Sequence, residues 1–221
     1  MRRLIRSVAL VGTVLALGAC QKKEEAKNAA MSQDMVKAIA QGKPAEVKTL
    51  LDKGEAVDAK QGGQTALHMA AMNGKVDIIS VLIARGAQVD AKDDNNSTPL
   101  MMAAMGGQLD AVKALLAQGA KIEAQNKLGE NALHIAGAHG RMEVVKELID
   151  RGANVKAATN NGLDVLVFAL NRKVQPGATG ADTALVAYLL EKYGVGADTV
   201  KPSIPLEMQA MPEEPAKGKK K

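Results

Sequence analysis

TALHMAAMNGKVDIISVLIARGAQVDA, residues 65–91, decides the fold, because the chain says nearly the same thing twice more. TPLMMAAMGGQLDAVKALLAQGAKIEA follows at residues 98–124 and NALHIAGAHGRMEVVKELIDRGANVKA at residues 131–157, so each copy starts 33 residues after the one before. Self-similarity at a fixed period of this size marks a stacked-repeat architecture. Within the first copy, Thr65 is placed to cap a helix that presents Leu67, Ala70 and Ala71 at helical spacing, and Gly74 stops it. A second helix, predicted over residues 76–84, should bury Val76, Ile79, Leu82 and Ile83 and end at Gly86, in the left-handed conformation glycine tolerates. Neither helix can bury its apolar stripe alone, so the units must stack. The expectation is an all-α solenoid of about five helix-turn-helix units joined by short β-turns, over residues 31–60, 61–93, 94–126, 127–159 and 160–200.

The flanking units keep the register in part. Residues 31–60 lack the opening motif but retain Gly42 and Gly54, one residue short of register, and Ser32, Gln33 and Asp34 give the first helix the polar start of a capping unit. The fifth unit opens on schedule at Asp164 with the helix DVLVFALNRK. Lys173 then stands where a glycine is expected, and VQPGATGA, residues 174–181, is inserted before a helix predicted over residues 183–193. An insertion rich in Pro and Gly reads as a surface loop. From Lys201 to Lys221, four prolines and the run KGKKK read as a disordered tail.

Thr-Ala-Leu-His at 65–68, Thr-Pro-Leu at 98–100 and Asn-Ala-Leu-His at 131–134, with Gly-Ala following at 86, 119 and 152, closely resemble the ankyrin repeat family. Gly63, Gly129 and Gly162 stand two residues before an opening residue, and Asn96 takes that place in the third unit; asparagine also tolerates a left-handed turn. The resemblance covers about residues 31–200 and implies an ankyrin-repeat solenoid. It implies that His68 and His134 hydrogen-bond the backbone of a neighbouring turn, with Met101 replacing them in the third unit. It also implies a concave face lined by Lys37 and Ala40, Met69 and Met72, Met102 and Met105, Ile135 and Ala138, then Phe168 and Asn171. Gln61, Asn95, Lys127 and Asn161 would frame that groove on one side.

Residues 1–20, MRRLIRSVALVGTVLALGAC, show a basic start, an apolar run from Val8 to Leu17 and small residues before a cysteine. That is the layout of a secretory signal peptide, and the apolar run is shorter than the about 20 residues of a spanning helix. Leu17-Gly18-Ala19-Cys20 resembles the lipobox of bacterial lipoproteins, which implies cleavage after residue 19 and acylation of Cys20. Cys20 is the single cysteine, so it cannot form an intramolecular disulfide. An ordinary signal peptide with a spare cysteine is the alternative. Two or three acyl chains at ~0.8 kcal/mol per buried methylene would hold the protein stably at a bilayer. Gln21, where an aspartate would imply retention at the inner membrane, points to the outer membrane. Residues 20–30 then form the lipidated cysteine and a tether whose ten residues after Cys20 reach ~30 to 35 Å when extended.

Charge has to be divided along the chain before the pI of 9.2 is read as a nucleic-acid signal. Losing Arg2, Arg3 and Arg6 lowers the formal net charge from +5 to +2. Five lysines against three glutamates in residues 201–221, and three against two in residues 21–30, leave the repeats at −1. No basic face remains there to bind nucleic acid. With one Phe, two Tyr and no Trp, packing falls to aliphatic side chains, alanine and eleven methionines.

Chemistry has few places to reside. His134 and His139 are five residues apart, off the shared helical face a zinc pair needs. Asp90, Asp93, Asp94 and Asn96 suggest a calcium loop but lack its glycine and distal glutamate, so solvated turn acids are expected. No nucleophile has a base in motif context, and phosphate-binding glycine loops are missing. The reading is a non-enzyme without metal, cofactor or small-molecule substrate, monomeric and facing the periplasm.

What remains is the concave face, whose middle is the methionine stripe Met69, Met72, Met102 and Met105. Methionine is flexible and polarizable, suited either to a surface that accommodates a partner or to ordinary packing between repeats. The leading expectation is a lipid-anchored scaffold binding another envelope protein, a toxin to be neutralised or a periplasmic enzyme to be supported. The alternative is an envelope spacer whose tail lysines touch lipid or cell wall.

Overall fold

The computed structural model describes residues 30–173 and 180–194. Its helices come in pairs: α1 (Gln33–Ala40) with α2 (Pro44–Asp52), α3 (Ala66–Met72) with α4 (Val76–Ala84), α5 (Pro99–Gly106) with α6 (Leu109–Ala117), α7 (Ala132–Ala138) with α8 (Met142–Asp150), and α9 (Val165–Lys173) with α10 (Gly180–Tyr193). Two short strands, β1 (Lys60–Gln61) and β2 (Gln64–Thr65), form an antiparallel hairpin between the first two pairs. Each first helix contacts the next first helix along the series α1, α3, α5, α7, α9, and the second helices α2, α4, α6 and α8 contact one another likewise. The result is a two-layer stack.

The stack follows from which residues recur. Leu67, Leu100 and Leu133 are buried at one position of successive first helices, with Leu166 half-buried at the same position of α9, and Ala70–Ala71, Ala103–Ala104 and Ala136–Gly137 are buried at the positions behind it. Small residues let neighbouring helices approach closely, and two glycines mark where even a methyl group is too much. A Cβ added to Gly106 would lie 2.4 Å from the carbonyl oxygen of Met72, and one added to Gly137 would lie 2.6 Å from Val165 Cγ2. Second helices contribute Val47, Ile79, Leu82, Val112, Leu115, Val145 and Leu148 to the same core.

Left-handed residues fall where the sequence places them. Gly63, Gly129 and Gly162 have φ of 78°, 78° and 73°, and Asn96, with φ of 61°, takes the same conformation in the third unit. Ser32 caps α1, accepting from Met35 N at 3.1 Å, and also donates to Glu55 at 2.9 Å. Asp164 caps α9 through Val167 N. Tyr193, at the end of α10, donates its hydroxyl to the Val155 carbonyl, and burial beside Asp164 pushes its pKa up.

Several expectations need correction. In α4 the buried side chains are Ile78, Ile79 and Leu82, while Val76 and Ile83 are only half-buried, because the second-helix layer meets a neighbour on one side only. The last helix starts at Gly180 rather than residue 183, so the final two residues of the insertion are helical; residues 174–179 lie outside the described residues. The tether ends a residue early, since Ala30 bridges to Lys60 and Met31 N donates to Lys60 O. The expected signal peptide, Cys20, the rest of the expected tether and the expected tail from Lys201 also lie outside the described residues.

Candidate functional groove

Between the second and third, third and fourth, and fourth and fifth pairs, the chain makes tight hairpin loops in which one side chain bonds the backbone of its own turn. Asp93 is buried, and its Oδ1 accepts from Asn95 N at 2.8 Å and Ser97 N at 2.7 Å. Asn126 Oδ1 does the same for Leu128 N at 2.9 Å and Glu130 N at 3.0 Å, and Thr159 Oγ1 accepts from Leu163 N at 3.2 Å. Asx side chains that bond their own turn fix it against water. Asp93 is therefore a structural turn residue and not a solvated acid. Asp90 is likewise engaged, accepting from Lys121 N at 3.0 Å in the next unit. Among the described residues no group of three or more His, Cys, Asp or Glu gathers as a metal site would need.

Neighbouring loops are tied to each other. Lys127 N donates to Asn95 O at 2.9 Å, Asn160 N to Leu128 O at 3.1 Å and Asn160 Nδ2 to Lys127 O at 3.0 Å. The tips form a fixed row rather than independent loops.

The buried histidines join this row to the helices. His68 Nε2–H donates to Ser97 O at 3.0 Å, so Nδ1 carries the lone pair that accepts from Thr65 N at 3.2 Å and from the Thr65 hydroxyl at 2.8 Å. Burial lowers the His68 pKa, with the Ser97 carbonyl opposing. His134 Nε2 donates to Ala157 O at 2.9 Å, and its ring meets Phe168 edge-on with centroids 5.6 Å apart. Met101 replaces the imidazole by accepting from Thr98 N on Sδ at 3.4 Å.

Against this scaffold lies one groove of about 610 Å³, bounded by the ends of α3, α5 and α7 and by the loops at 93–97 and 126–130. Met72, Met102, Met105, Ile135 and Ala138 form its apolar surface, with Asn95, Lys127 and His139 among its polar edges. A family model described as ankyrin repeats (3 copies) matches residues 35–126 and 100–202, well over half of the chain. The chain belongs to the ankyrin repeat family. Membership carries a protein-protein interaction scaffold as the general role, and the groove is where such a scaffold has surface to offer.

Of the ankyrin-groove residues expected from sequence, seven meet here: Met72, Met102, Met105, Ile135, Ala138, Asn95 and Lys127. They are not equivalent. Met72 is 42 % exposed and Met105 half-buried, whereas Met102 is 5 % and Ile135 6 % exposed, so these two serve the floor and the core together. Met69, Phe168, Gln61 and Asn161 do not line this groove. Met69 is half-buried against the core, Phe168 meets His134 edge-on, Asn161 is an exposed tip one ankyrin unit further on, and Gln61 lies in β1 with Oε1 buried and unpaired among the described residues.

The residue missed is Leu128, 61 % exposed at a hairpin tip. The period would have found it: stepping 33 residues from Asn95 reaches Gly62, Leu128 and Asn161, whereas Gln61 and Lys127 are one residue off that register. Leu128 is the single large apolar residue in that series.

Proposed function

We propose that this ankyrin-repeat protein is a lipid-anchored, periplasm-facing scaffold that binds another envelope protein through the groove between its second and fourth units. The observation that carries the docking site is the placement of exposed apolar surface. Among the described residues the exposed large hydrophobic side chains are Met72 and Leu128, and both line the same groove. An exposed apolar patch rimmed by polar groups is what a partner surface requires. Hydrogen bonds between the hairpin tips hold Leu128 in place before any partner arrives, which lowers the ordering cost of binding.

The anchor rests on the sequence of residues 1–20, with its basic start, short apolar run and single cysteine. Acylated Cys20 would hold the repeats near the outer membrane, as Gln21 suggests, and place the groove within reach of periplasmic or membrane-bound proteins, a toxin or an enzyme among them. Affinity capture from detergent-solubilised envelopes tests the reading: wild type should enrich one partner in defined ratio, and the Met72→Lys/Leu128→Lys variant should lose it. Capture that persists in a folded double variant overturns the groove assignment. Met102 is unsuitable for such a test, because a lysine at a 5 % exposed position would disturb the fold itself.

A further inference from the structure

The groove gathers one kind of chemistry that protein docking does not use. Met102, Met105 and His139 line the same cavity, and all three offer soft or borderline donors. Their placement has local causes. Met102 and Met105 are three residues apart on α5, which puts them on one face of that helix. His139 is the C-cap of α7, directly before the Gly140 turn. Two residues on, Arg141 Nε donates to Met105 O at 3.1 Å, which pins the turn containing His139 against the C-terminal end of α5.

The imidazole is held in the tautomer a ligand needs. A carbonyl can only accept, so the 2.9 Å contact from His139 Nδ1 to Ile135 O puts the proton on Nδ1 and leaves the Nε2 lone pair. His139 is exposed, and Nε2 makes no hydrogen bond among the described residues. Metal-bound histidines characteristically donate their other ring N–H to a backbone carbonyl in this way. Met102 has an orienting partner of its own: Gln64 Nε2 reaches its Sδ at 3.7 Å, and Gln64 also lines the cavity. Thioether sulfur has a second lone pair to offer. Neutral thioethers select soft monovalent ions over zinc, calcium or magnesium, which want thiolate, imidazole pairs or oxygen.

We propose that this end of the groove binds one soft monovalent cation, Cu(I) or its redox-inert analogue Ag(I), through Met102 Sδ, Met105 Sδ and His139 Nε2. Methionine's rotatable side chain allows Met105, half-buried at the rim, to close on the ion. Gln64 is a positioning residue that holds the Met102 sulfur. The ion and a protein partner would share the groove wall at Met105, so metal loading would alter partner affinity. The metal site nonetheless stands without that partner.

The test is an anaerobic titration of Cu(I) against the chromophoric chelator bicinchoninate. The full chain carries Cys20→Ser, so that the lone thiol cannot compete. One equivalent per chain should be withdrawn from the chelator, and Zn(II) offered in the same way should not bind. Met105→Leu and His139→Gln, which change donors while keeping size, should each weaken Cu(I) at least about tenfold. Under Ag(I), the methyl resonances of Met102 and Met105 should move while those of Met69 and Met142 stay. Circular dichroism of each variant confirms that the fold is retained. No withdrawal of Cu(I), or withdrawal that is unchanged in both variants, overturns the site, whatever the partner experiment finds.

Discussion

Replacing His68 by methionine asks whether the buried imidazole is kept neutral by its surroundings, and the protein itself supplies the control. Met101 occupies the same position one unit later, where its sulfur accepts from Thr98 N. In His68→Met the sulfur can accept from Thr65 N in the same manner. What is lost is the bond from Nε2 to Ser97 O, while the Thr65 hydroxyl exchanges its Nδ1 acceptor for the weaker sulfur, yet the Ser97 oxygen keeps Asp93 N as a donor at 3.0 Å. No carbonyl is orphaned, so the cost at pH 8 should be about 1 kcal/mol, the net worth of an ordinary hydrogen bond. The pH dependence has a definite sign. Burial lowers the folded-state pKa of His68 below its usual 6.5, so on acidification the unfolded chain takes the proton first. Stability from this group is therefore present above pH ~6.5 and lost as pH falls toward the folded-state value. One proton contributes at most about 1.36 kcal/mol per pH unit, so the loss between pH 6.5 and pH 5 is bounded at about 2 kcal/mol.

Urea unfolding followed by far-ultraviolet circular dichroism at pH 8, 7, 6 and 5 measures it. The other histidines are present in both proteins, so the difference between the two curves isolates His68. Wild type should lead by about 1 kcal/mol at pH 8, and the lead should vanish or reverse by pH 5. A difference that stays constant with pH, or a wild-type lead that grows in acid, would refute the assignment of a neutral, desolvated His68.

Other consequences are simpler to state. Gly106→Ala should destabilise by about 1 to 3 kcal/mol, because its methyl group meets the Met72 backbone rather than a side chain that can swing away. Asp93→Asn should stay near wild type, since Asn126 plays the same part in the next hairpin, while Asp93→Ala leaves the N–H groups of Asn95 and Ser97 without their acceptor and should cost about 2 kcal/mol; thermal melts separate the two. Cys20→Ala should abolish palmitate labelling and move the protein from the membrane fraction to the soluble one, and unchanged fractionation would contradict lipid anchoring.

The sequence carried the fold because a period of 33 residues is seen directly in it, and the same register predicted the left-handed Asn96 from its glycine counterparts. It carried less of the groove. The family resemblance put Met69, Met72, Met102 and Met105 in one stripe, but the packing of neighbouring first helices buries Met102 and leaves Met72 open. Burial of that kind depends on the distance between two helices, and no single helix encodes it. Asp93 departs from expectation for a related reason: an acid in a turn looks solvated in sequence, and its two backbone donors come only with the folded turn. Leu128 was in plain view and was missed by a one-residue slip in the register of the tips.

The central claim is that partner binding is concentrated at Met72 and Leu128. Its most direct measurement is quantitative affinity capture from solubilised envelopes, comparing wild type with Met72→Lys/Leu128→Lys and with Lys37→Glu, an exposed first-helix change that lies outside this groove. All three should melt within about 0.5 kcal/mol of one another, as surface substitutions do. The account predicts full capture by wild type and by Lys37→Glu, and loss of the partner in the double variant. Equal capture by all three would contradict it.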